Sequence, residues 1–334
     1  MRRFLAILHA RNIEFVRDRT ALAWNIALPV LLLFGFYFLF SNGDRDIYKV
    51  GIYGDASSSQ LSFLQTRYID FVAVKDLEKA IDRVKHHGLD MLIDLTHNNR
   101  YWINTSSPKG YVVERMLKGS ENHSAQYQRQ TVQGREIRYV DWVLPGILGM
   151  NMMFSCLFGI GYVIVRYRKN GVLKRLKATP LTALEFLSAQ ILSRLLITML
   201  ITVVVFVGCD IFINFYMLGS YWTLLLVFTL GSLCLISLGL LMATRTVSEE
   251  FAGGILNLVT WPMMILSGVW FSLDGASPFM RGIAQILPLT HIIDAARAVM
   301  NDGAGLTDIY GQLLFLVITT VVFLFAGSAL FKWE

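Results

Sequence analysis

The chain is poor in charged residues and in cysteine for its length. Only 16% of its 334 residues are Asp, Glu, Lys or Arg, whereas ordinary soluble domains contain about 25%. The three cysteines, Cys156, Cys209 and Cys234, lie within apolar segments and lack the spacing of a disulfide framework or a zinc site. The seven prolines and 26 glycines are too few for a disordered or fibrous chain. The composition therefore favours a membrane protein.

The sequence also lacks the motifs of several functional classes. The sequence contains no Gly-x-x-x-x-Gly-Lys-Ser/Thr motif, so the chain lacks a phosphate-binding loop and cannot be an ATPase itself. His86, His87 and His97 have no partner at a metal-ligand spacing. We expect no catalytic residue, no metal and no cofactor bound by this chain. The net charge of +6 does not predict nucleic-acid binding, because most of the excess lies in two clusters that flank apolar segments.

Six apolar windows are long enough to cross a bilayer, which takes about 20 residues of helix. They cover residues 22–40, 143–165, 188–213, 221–243, 253–273 and 310–331. These windows predict a mainly α-helical integral membrane protein with six transmembrane helices, the first within residues 21–41 and the others within 141–334. A signal peptide is the alternative for the first window, but an amphipathic segment precedes it and no small-residue cleavage site follows.

Basic residues set the expected orientation. The first window is preceded by five arginines, Arg2, Arg3, Arg11, Arg17 and Arg19, and the second is followed by a basic cluster at 166–177. Both regions should be cytoplasmic, because positive loops stay on that side. Six spans then place both termini in the cytoplasm, and we expect the inner membrane of a bacterium. Residues 1–20 predict an amphipathic helix in the cytoplasmic interface, with Phe4, Leu8 and Phe15 on its apolar stripe and Arg3, Arg11 and Glu14 opposite.

Residues 42–140 have a different character, since alternation and capping signals replace the long apolar runs. Strands are predicted at 47–54, 68–74, 89–95 and 100–104. Helices are predicted after a Ser57/Gln60 capping box, after Asp76 and after Ser107-Pro108. The segment therefore predicts an α/β domain inserted between the first two spans and lying outside the cytoplasm.

Residues 166–181, RYRKNGVLKRLKATPL, form a short basic segment between two apolar spans. They include six basic side chains and no acidic one. Val172, Leu173 and Leu176 fall on one face of a short helix, and Pro180 cannot continue that helix. A loop that only obeyed the charge rule would need no apolar face. We interpret the segment as a surface that presses into the groove of a cytoplasmic partner.

Three blocks of the sequence resemble the ABC-2 type permeases, the membrane subunits of ATP-binding cassette exporters. The basic segment is similar to that family's coupling segment, Arg-x-x-Gly-x-Leu-x-x-Leu-x-x-Thr-Pro, in Arg168, Gly171, Leu173, Leu176, Thr179 and Pro180. Residues 266–300 resemble the end of the family's fifth helix and the short outer helices before the sixth, here placed within 274–309. DWVLPGILG, residues 141–149, resembles the start of its second helix. Lys169 and Ser272 depart from the acidic residue and the proline common in relatives.

The resemblance implies a separate ATPase subunit, which would bind ATP and magnesium and push on the basic segment, including Lys174 and Arg175. It also implies pairing with a second permease, either a copy of this chain or a paralogue, and leaves room for a periplasmic adaptor. Small residues, among them Gly146, Gly149, Gly159, Gly231 and Gly239, would allow close helix approach, either within one chain or between two. The remaining partner is the lipid bilayer.

For the substrate path we expect Phe154, Phe158, Trp261, Met264 and Trp270, which would suit an amphiphile, although lipid-facing anchoring is an alternative. Arg194 and Asp210 lie in the third span, near ends from which they could reach water, and we expect structural roles for both. Two other functional classes stay open. One is a membrane receptor whose outer domain binds a ligand and whose basic segment recruits a signalling protein. The other is an intramembrane enzyme that uses His291 and Asp294, for which a helical ion pair between Asp294 and Arg297, one turn further on, is the favoured alternative.

Overall fold

A computed structural model describes residues 2–41, 48–54, 62–66, 68–96, 100–120, 128–132, 138–244, 246, 248–273, 277–331 and 333. The chain divides into two compact units. The helical unit comprises Met1–Phe38 and Tyr139–Glu334, and the inserted unit comprises Leu39–Arg138. The predicted capping box at Ser57 and Gln60 lies outside the described residues, as does His97.

The helices of the described chain are α1 (Arg2–Arg17), α2 (Arg19–Ser41), α3 (Leu77–Lys85), α4 (Pro108–Ser120), α5 (Tyr139–Lys169), α6 (Val172–Lys177), α7 (Ala183–Ile213), α8 (Tyr221–Ala243), α9 (Glu249–Leu266), α10 (Pro278–Ala284), α11 (Pro288–Asp302) and α12 (Tyr310–Leu330). The strands are β1 (Tyr48–Tyr53), β2 (Ile69–Val74), β3 (Met91–Asp94), β4 (Arg100–Asn104) and β5 (Gln128–Val132), with a 3-10 turn at Ser62–Gln65.

Among the described residues, five helices are long and apolar enough to cross a membrane: α2, α5, α7, α8 and α12. They coincide with five of the six predicted windows. The remaining window, 253–273, coincides with α9, which has 18 residues, begins with Glu249 and Glu250, and ends before Gly268 in a left-handed conformation (φ 68°). The pair α10 and α11, bent by 91°, also has the length and composition of one span. The described part of the chain therefore contains five or six spans by length and composition.

Helix α5 is the central element of the helical unit and packs against α7, α8, α9 and α11. Small residues allow this close packing. A Cβ atom on Gly146 would lie 2.6 Å from the backbone oxygen of Val269, and one on Gly239 would lie 3.1 Å from the backbone of Leu157. A Cβ on Gly231 would lie 2.7 Å from the side chain of Ile292. These glycines thus serve helix packing within this chain, one of the two roles expected from the sequence.

The inserted unit is a mixed sheet with the order β2-β1-β3-β4-β5. β1 pairs in parallel with β2 and β3, β3 pairs antiparallel with β4, and β4 pairs in parallel with β5. Both faces are covered, since α4 contributes Val113 and Leu117 to one apolar cluster and α3 contributes Ala80 and Val84 to the other. All four residues of β3 are accordingly buried. Asp76 caps α3 as predicted, because its side chain accepts a hydrogen bond from the Lys79 N–H.

A buried carboxylate in the inserted unit is satisfied by its own neighbours. Glu114 accepts hydrogen bonds from the Tyr101 hydroxyl at 2.9 Å and from the Lys118 ammonium at 2.7 Å. Burial raises the pKa of Tyr101 to about 12, and the hydrogen bond to Glu114 adds to this rise. Burial also tends to raise the pKa of Glu114, but the hydrogen bonds from Lys118 and Tyr101 outweigh it and lower the pKa. The network has the form of a structural tie between α4 and β4.

Candidate functional site

The basic segment folds as a tight turn and one short helix between α5 and α7. Gly171 takes a left-handed conformation (φ 67°), which glycine adopts without steric cost, and α6 begins directly after it. Pro180 follows the end of α6, and Thr182 then starts α7 with a reciprocal capping box to Glu185. The short helix predicted within residues 166–181 is thus limited to the six residues of α6, because a glycine precedes it and a proline follows.

The apolar face of α6 points into this chain. Leu173 is fully buried in the core of the helical unit, and Leu176 is half-buried against the same core. The interpretation that this stripe presses into a partner's groove is therefore wrong for Leu173, because the core of this chain already covers it. The basic side of α6 is different: Lys174, Arg175 and Lys177 are exposed. Thr179 and Pro180 are exposed as well, which leaves a cationic rim for contact with another molecule.

Arg168 does not belong to this exposed rim. Its guanidinium is buried and donates to the backbone oxygens of Ala243 at 3.0 Å and Thr244 at 2.8 Å, and to that of Thr246. These are carbonyls at the C-terminal end of α8, where a helix leaves backbone acceptors without internal partners. The expectation that Arg168 contacts an ATPase is corrected here: the side chain joins the end of α5 to the end of α8.

A second tie connects the same end of α5 to the next helix. The Lys169 ammonium lies 3.7 Å from the Glu249 carboxylate in the first turn of α9. The sequence shows Lys169 only as a departure from an acidic residue common in relatives. The structure places its charge opposite an acid from a distant part of the chain. Arg168 and Lys169 together link the basic segment to both α8 and α9.

The N-terminal helix α1 packs against α7 and reaches the basic segment. Ser193 of α7 donates a hydrogen bond to the Asn12 side chain, and Arg3 donates to the backbone oxygen of Pro180. Arg11 is buried, and donates to the Glu14 carboxylate at 2.8 Å and to the backbone oxygen of Gly159 at 3.3 Å. The sequence placed Arg11 on the outward polar face. The structure turns it inward because carbonyl and carboxylate acceptors lie there.

A groove of about 520 Å³ lies where α1 and the start of α2 meet α5 and α7. Its lining includes Phe154 and Phe158, two of the predicted substrate-path residues. Tyr162 extends their row along α5, with ring centroids 5.8 Å apart from Phe154 to Phe158 and 5.5 Å apart from Phe158 to Tyr162. The groove thus has one continuous aromatic wall.

The other three predicted path residues do not line this groove. Trp261 on α9 is exposed, and Met264 is half-buried one turn further on. Trp270 lies beyond the end of α9, where its ring packs on Phe36 with centroids 5.4 Å apart. Its backbone oxygen accepts a hydrogen bond from the Tyr139 hydroxyl at 2.9 Å. The predicted path is therefore split between the groove and α9.

Arg194 is part of the groove, a role that the sequence did not predict. The side chain is buried and does not extend to water, although its place near the end of the span would allow that. Its Nη2 atom donates to the hydroxyl of Ser155 at 2.7 Å and to the backbone oxygen of the same residue. Its Cζ atom lies 5.4 Å from the ring centroid of Phe15. In the sequence, the signal for such a site was an arginine within an apolar window. Gly159 leaves room for the guanidinium, but it is 35 residues away in the chain, so no local sequence pattern connects the two.

The remaining polar residues singled out in the sequence have structural contacts. Asp210 accepts a hydrogen bond from the Phe215 N–H at 2.9 Å, just beyond the end of α7. Arg297 lies over the Trp142 ring at 3.7 Å and donates to the backbone oxygens of Trp142 and Gly268. His291 stacks on Phe315 with centroids 3.8 Å apart, and one of its ring nitrogens lies 2.8 Å from the backbone oxygen of Gln285.

These features define the chain as a multi-pass membrane protein with an exposed basic connection between two long helices. The profile of the ABC-2 family transporter proteins matches residues 19–329, and the chain belongs to that family. The resemblance seen in three sequence blocks is thereby confirmed.

The chain is similar to one permease over nearly its whole length and to others over about half of it. It is 23% identical to the probable multidrug ABC transporter permease YbhS of Escherichia coli (strain K12) over 368 aligned positions, covering 97% of this chain and 95% of that protein. It is 26% identical to the inner membrane transport permease YhhJ of the same strain, covering 50% of this chain and 45% of YhhJ. It is 26% identical to the linearmycin resistance permease protein LnrN of Bacillus subtilis (strain 168), covering 54% of this chain and 47% of LnrN.

Proposed function

We propose that this chain is the permease subunit of an ATP-driven exporter in the cytoplasmic membrane of a bacterium. A separate ATPase subunit binds ATP and magnesium and docks on the exposed rim of Lys174, Arg175 and Lys177. A second permease completes the pathway, and substrate leaves outward. The observation that carries the proposal is the arrangement of the basic segment, whose charges are exposed while Leu173 and Arg168 anchor it to the helical unit. The relatives named for multidrug transport and linearmycin resistance support a drug-like cargo.

The ties at the end of α5 supply a route for the force. A push on α6 moves the end of α5, and Arg168 and Lys169 carry that movement to α8 and α9. The ATPase drives transport only if it binds the two conformations of the permease unequally, because a ligand shifts an equilibrium by its difference in affinity. In this proposal the ATPase binds the basic rim more tightly in one conformation of the permease than in the other.

The proposed orientation in the membrane can be tested by labelling from each side. In the proposed arrangement both termini and the basic segment are cytoplasmic, six segments span the bilayer, and the inserted unit is outside. The three native cysteines are buried, so a membrane-impermeant maleimide should give little background. We expect a Lys177→Cys variant to be labelled in inverted vesicles and not in intact spheroplasts, and a Lys79→Cys variant in the inserted unit to show the opposite pattern. Labelling of position 177 from outside would contradict the docking role.

The proposed ATPase partner can be tested by co-purification. We expect the tagged full chain, purified in mild detergent, to retain an ABC ATPase, and the purified complex to hydrolyse ATP at a rate that a transported drug changes several-fold, because substrate and ATPase bias the same conformational equilibrium. The ATPase purified alone is the control for intrinsic hydrolysis. Retention of a signalling protein instead of an ATPase would favour the receptor alternative and overturn the proposal.

A further inference from the structure

We propose that the groove between α1, α2, α5 and α7 binds an amphiphile with an anionic headgroup, and that Arg194 receives this headgroup. The inference rests on the proposed function and adds to it a substrate class and a binding residue. Three observations support it: the charges that line the groove, the burial of Arg194, and the aromatic side chains along one wall.

The charges that line the groove do not balance. Three arginines and two carboxylates contribute to it: Arg11, Arg166, Arg194, Glu14 and Asp18. Arg11 and Glu14 form an ion pair at 2.8 Å. Asp18 accepts a hydrogen bond from the Ala21 N–H at 3.0 Å at the start of α2. Arg166 is exposed to solvent. Arg11 and Arg194 are both buried, but Arg11 has Glu14 as its counter-charge, whereas within the described residues no carboxylate lies at ion-pair distance from Arg194.

The hydrogen bonds of Arg194 are also incomplete. Ser155 is its hydrogen-bond acceptor, and the Nε atom is buried without a partner. A guanidinium has five N–H donors, and a carboxylate or phosphate group can accept two of them at once. Arg168 meets three backbone oxygens in its buried position, whereas Arg194 faces a groove. A buried charge without a counter-charge is costly, so an anion in the groove would gain most of its affinity here.

The wall of the groove indicates what the anion is attached to. Phe154, Phe158 and Tyr162 form the aromatic row along α5, and Phe15 of α1 lies against the Arg194 guanidinium. Such a wall removes an alkyl chain or an aromatic body from water, and a free inorganic anion would gain nothing from it. The ligand with matching chemistry has an apolar body and a phosphate or carboxylate head.

Gly159 allows this arrangement. A Cβ atom at position 159 would overlap the guanidinium of Arg194. A Gly159→Ala change therefore displaces the headgroup donor without removing a charge. Arg194→Lys retains the charge but loses the planar fork of donors. These two changes separate loss of the site from loss of the fold.

The test uses the full chain in maltoside detergent, titrated with dodecyl phosphate and followed by native mass spectrometry. We expect the wild-type chain to bind dodecyl phosphate, and Arg194→Gln to bind it about tenfold or more weakly, as for loss of a hydrogen bond to a charged group. Gly159→Ala should also weaken binding, and Arg194→Lys should retain more than Arg194→Gln. Arg281→Gln, an exposed arginine on α10 that does not line the groove, is the matched control and should bind as the wild type does.

Two further probes separate the possible sources of binding. Inorganic phosphate at equal concentration should bind much more weakly than dodecyl phosphate. Equal binding would overturn the assignment of an amphiphile. Dodecyltrimethylammonium should not compete, and effective competition would overturn the anionic headgroup. Unchanged binding of dodecyl phosphate by both Arg194→Gln and Gly159→Ala would overturn the site. Because no ATPase is present, failure here leaves the proposed function standing, and loss of the ATPase partner leaves this measurement intact.

Discussion

Reversing the three exposed charges of α6, by Lys174→Glu, Arg175→Glu and Lys177→Glu together, is expected to abolish co-purification of the ATPase while the permease still inserts and folds. These side chains project from the helical unit and are exposed. A single exposed ion pair contributes little. Three reversals on one small surface, however, replace attraction by repulsion, which costs several kcal/mol in an interface built on complementary charge. We expect retained ATPase to fall by at least about 100-fold on this basis.

The measurement is quantitative recovery of the ATPase with tagged permease, together with the thermal unfolding midpoint of each purified permease. A matched control reverses three exposed basic residues of the inserted unit, Lys75, Arg83 and Lys85. It changes the net charge equally and should retain the ATPase. Association of the wild type should also weaken as salt is raised from 0.1 to about 1 M, where the screening length falls to about 3 Å. Full recovery of the ATPase by the α6 triple variant would exclude this rim as the docking surface.

Local signals in the sequence predicted much of the inserted unit. Asp76 before an amphipathic run, and Ser107-Pro108 before another, indicated helix starts, and α3 and α4 begin there. The alternating segments indicated β1 to β4. Strand β5 was missed because its residues, QRQTV, are mostly exposed and have no apolar alternation. Its strand conformation depends on pairing with β4, a contact that periodicity in its own sequence does not encode.

In the helical unit the sequence predicted positions along the chain better than the surface each side chain faces. The stripe of Leu173 and Leu176 was identified, but an amphipathic pattern does not tell whether a partner or the chain's own core covers it. Arg11 and Arg168 were placed with the exposed charges because arginine is seldom buried. Both are buried, and each donates to backbone oxygens distant in sequence: Arg11 to Gly159, in addition to its local pair with Glu14, and Arg168 to the end of α8. Such contacts depend on tertiary packing.

The residues of the groove were also predicted only in part, because their assembly depends on tertiary packing. Phe154 and Phe158 were selected for the substrate path from their size and spacing, and they line the groove together. Trp261, Met264 and Trp270 were selected by the same criterion and lie elsewhere. Composition predicted an amphiphile-binding surface in general terms. The position of Arg194 opposite Gly159 required the packing of α5 against α7.

Replacing Arg168 by alanine is expected to destabilise the helical unit and to uncouple it from ATP hydrolysis. The change removes a buried guanidinium and leaves the backbone oxygens of Ala243 and Thr244 without this donor at the end of α8. Loss of buried, charge-assisted hydrogen bonds of this kind costs about 3 kcal/mol. Arg168→Lys should recover only part of the stability, because one ammonium cannot reproduce a fork that reaches several carbonyls.

The control for this prediction is Arg281 on α10, which lies outside both the groove and the basic segment. Arg281→Ala also removes an arginine from the helical unit, but Arg281 is exposed, so its loss should change stability by less than about 0.5 kcal/mol. Thermal unfolding of the purified variants measures the difference, and ATP turnover of their complexes measures the coupling. Because the docking rim is untouched, Arg168→Ala should still bind the ATPase while substrate no longer changes its turnover. Equal stability and equal coupling in the two alanine variants would show that the tie between α5 and α8 does not carry the force from the basic segment.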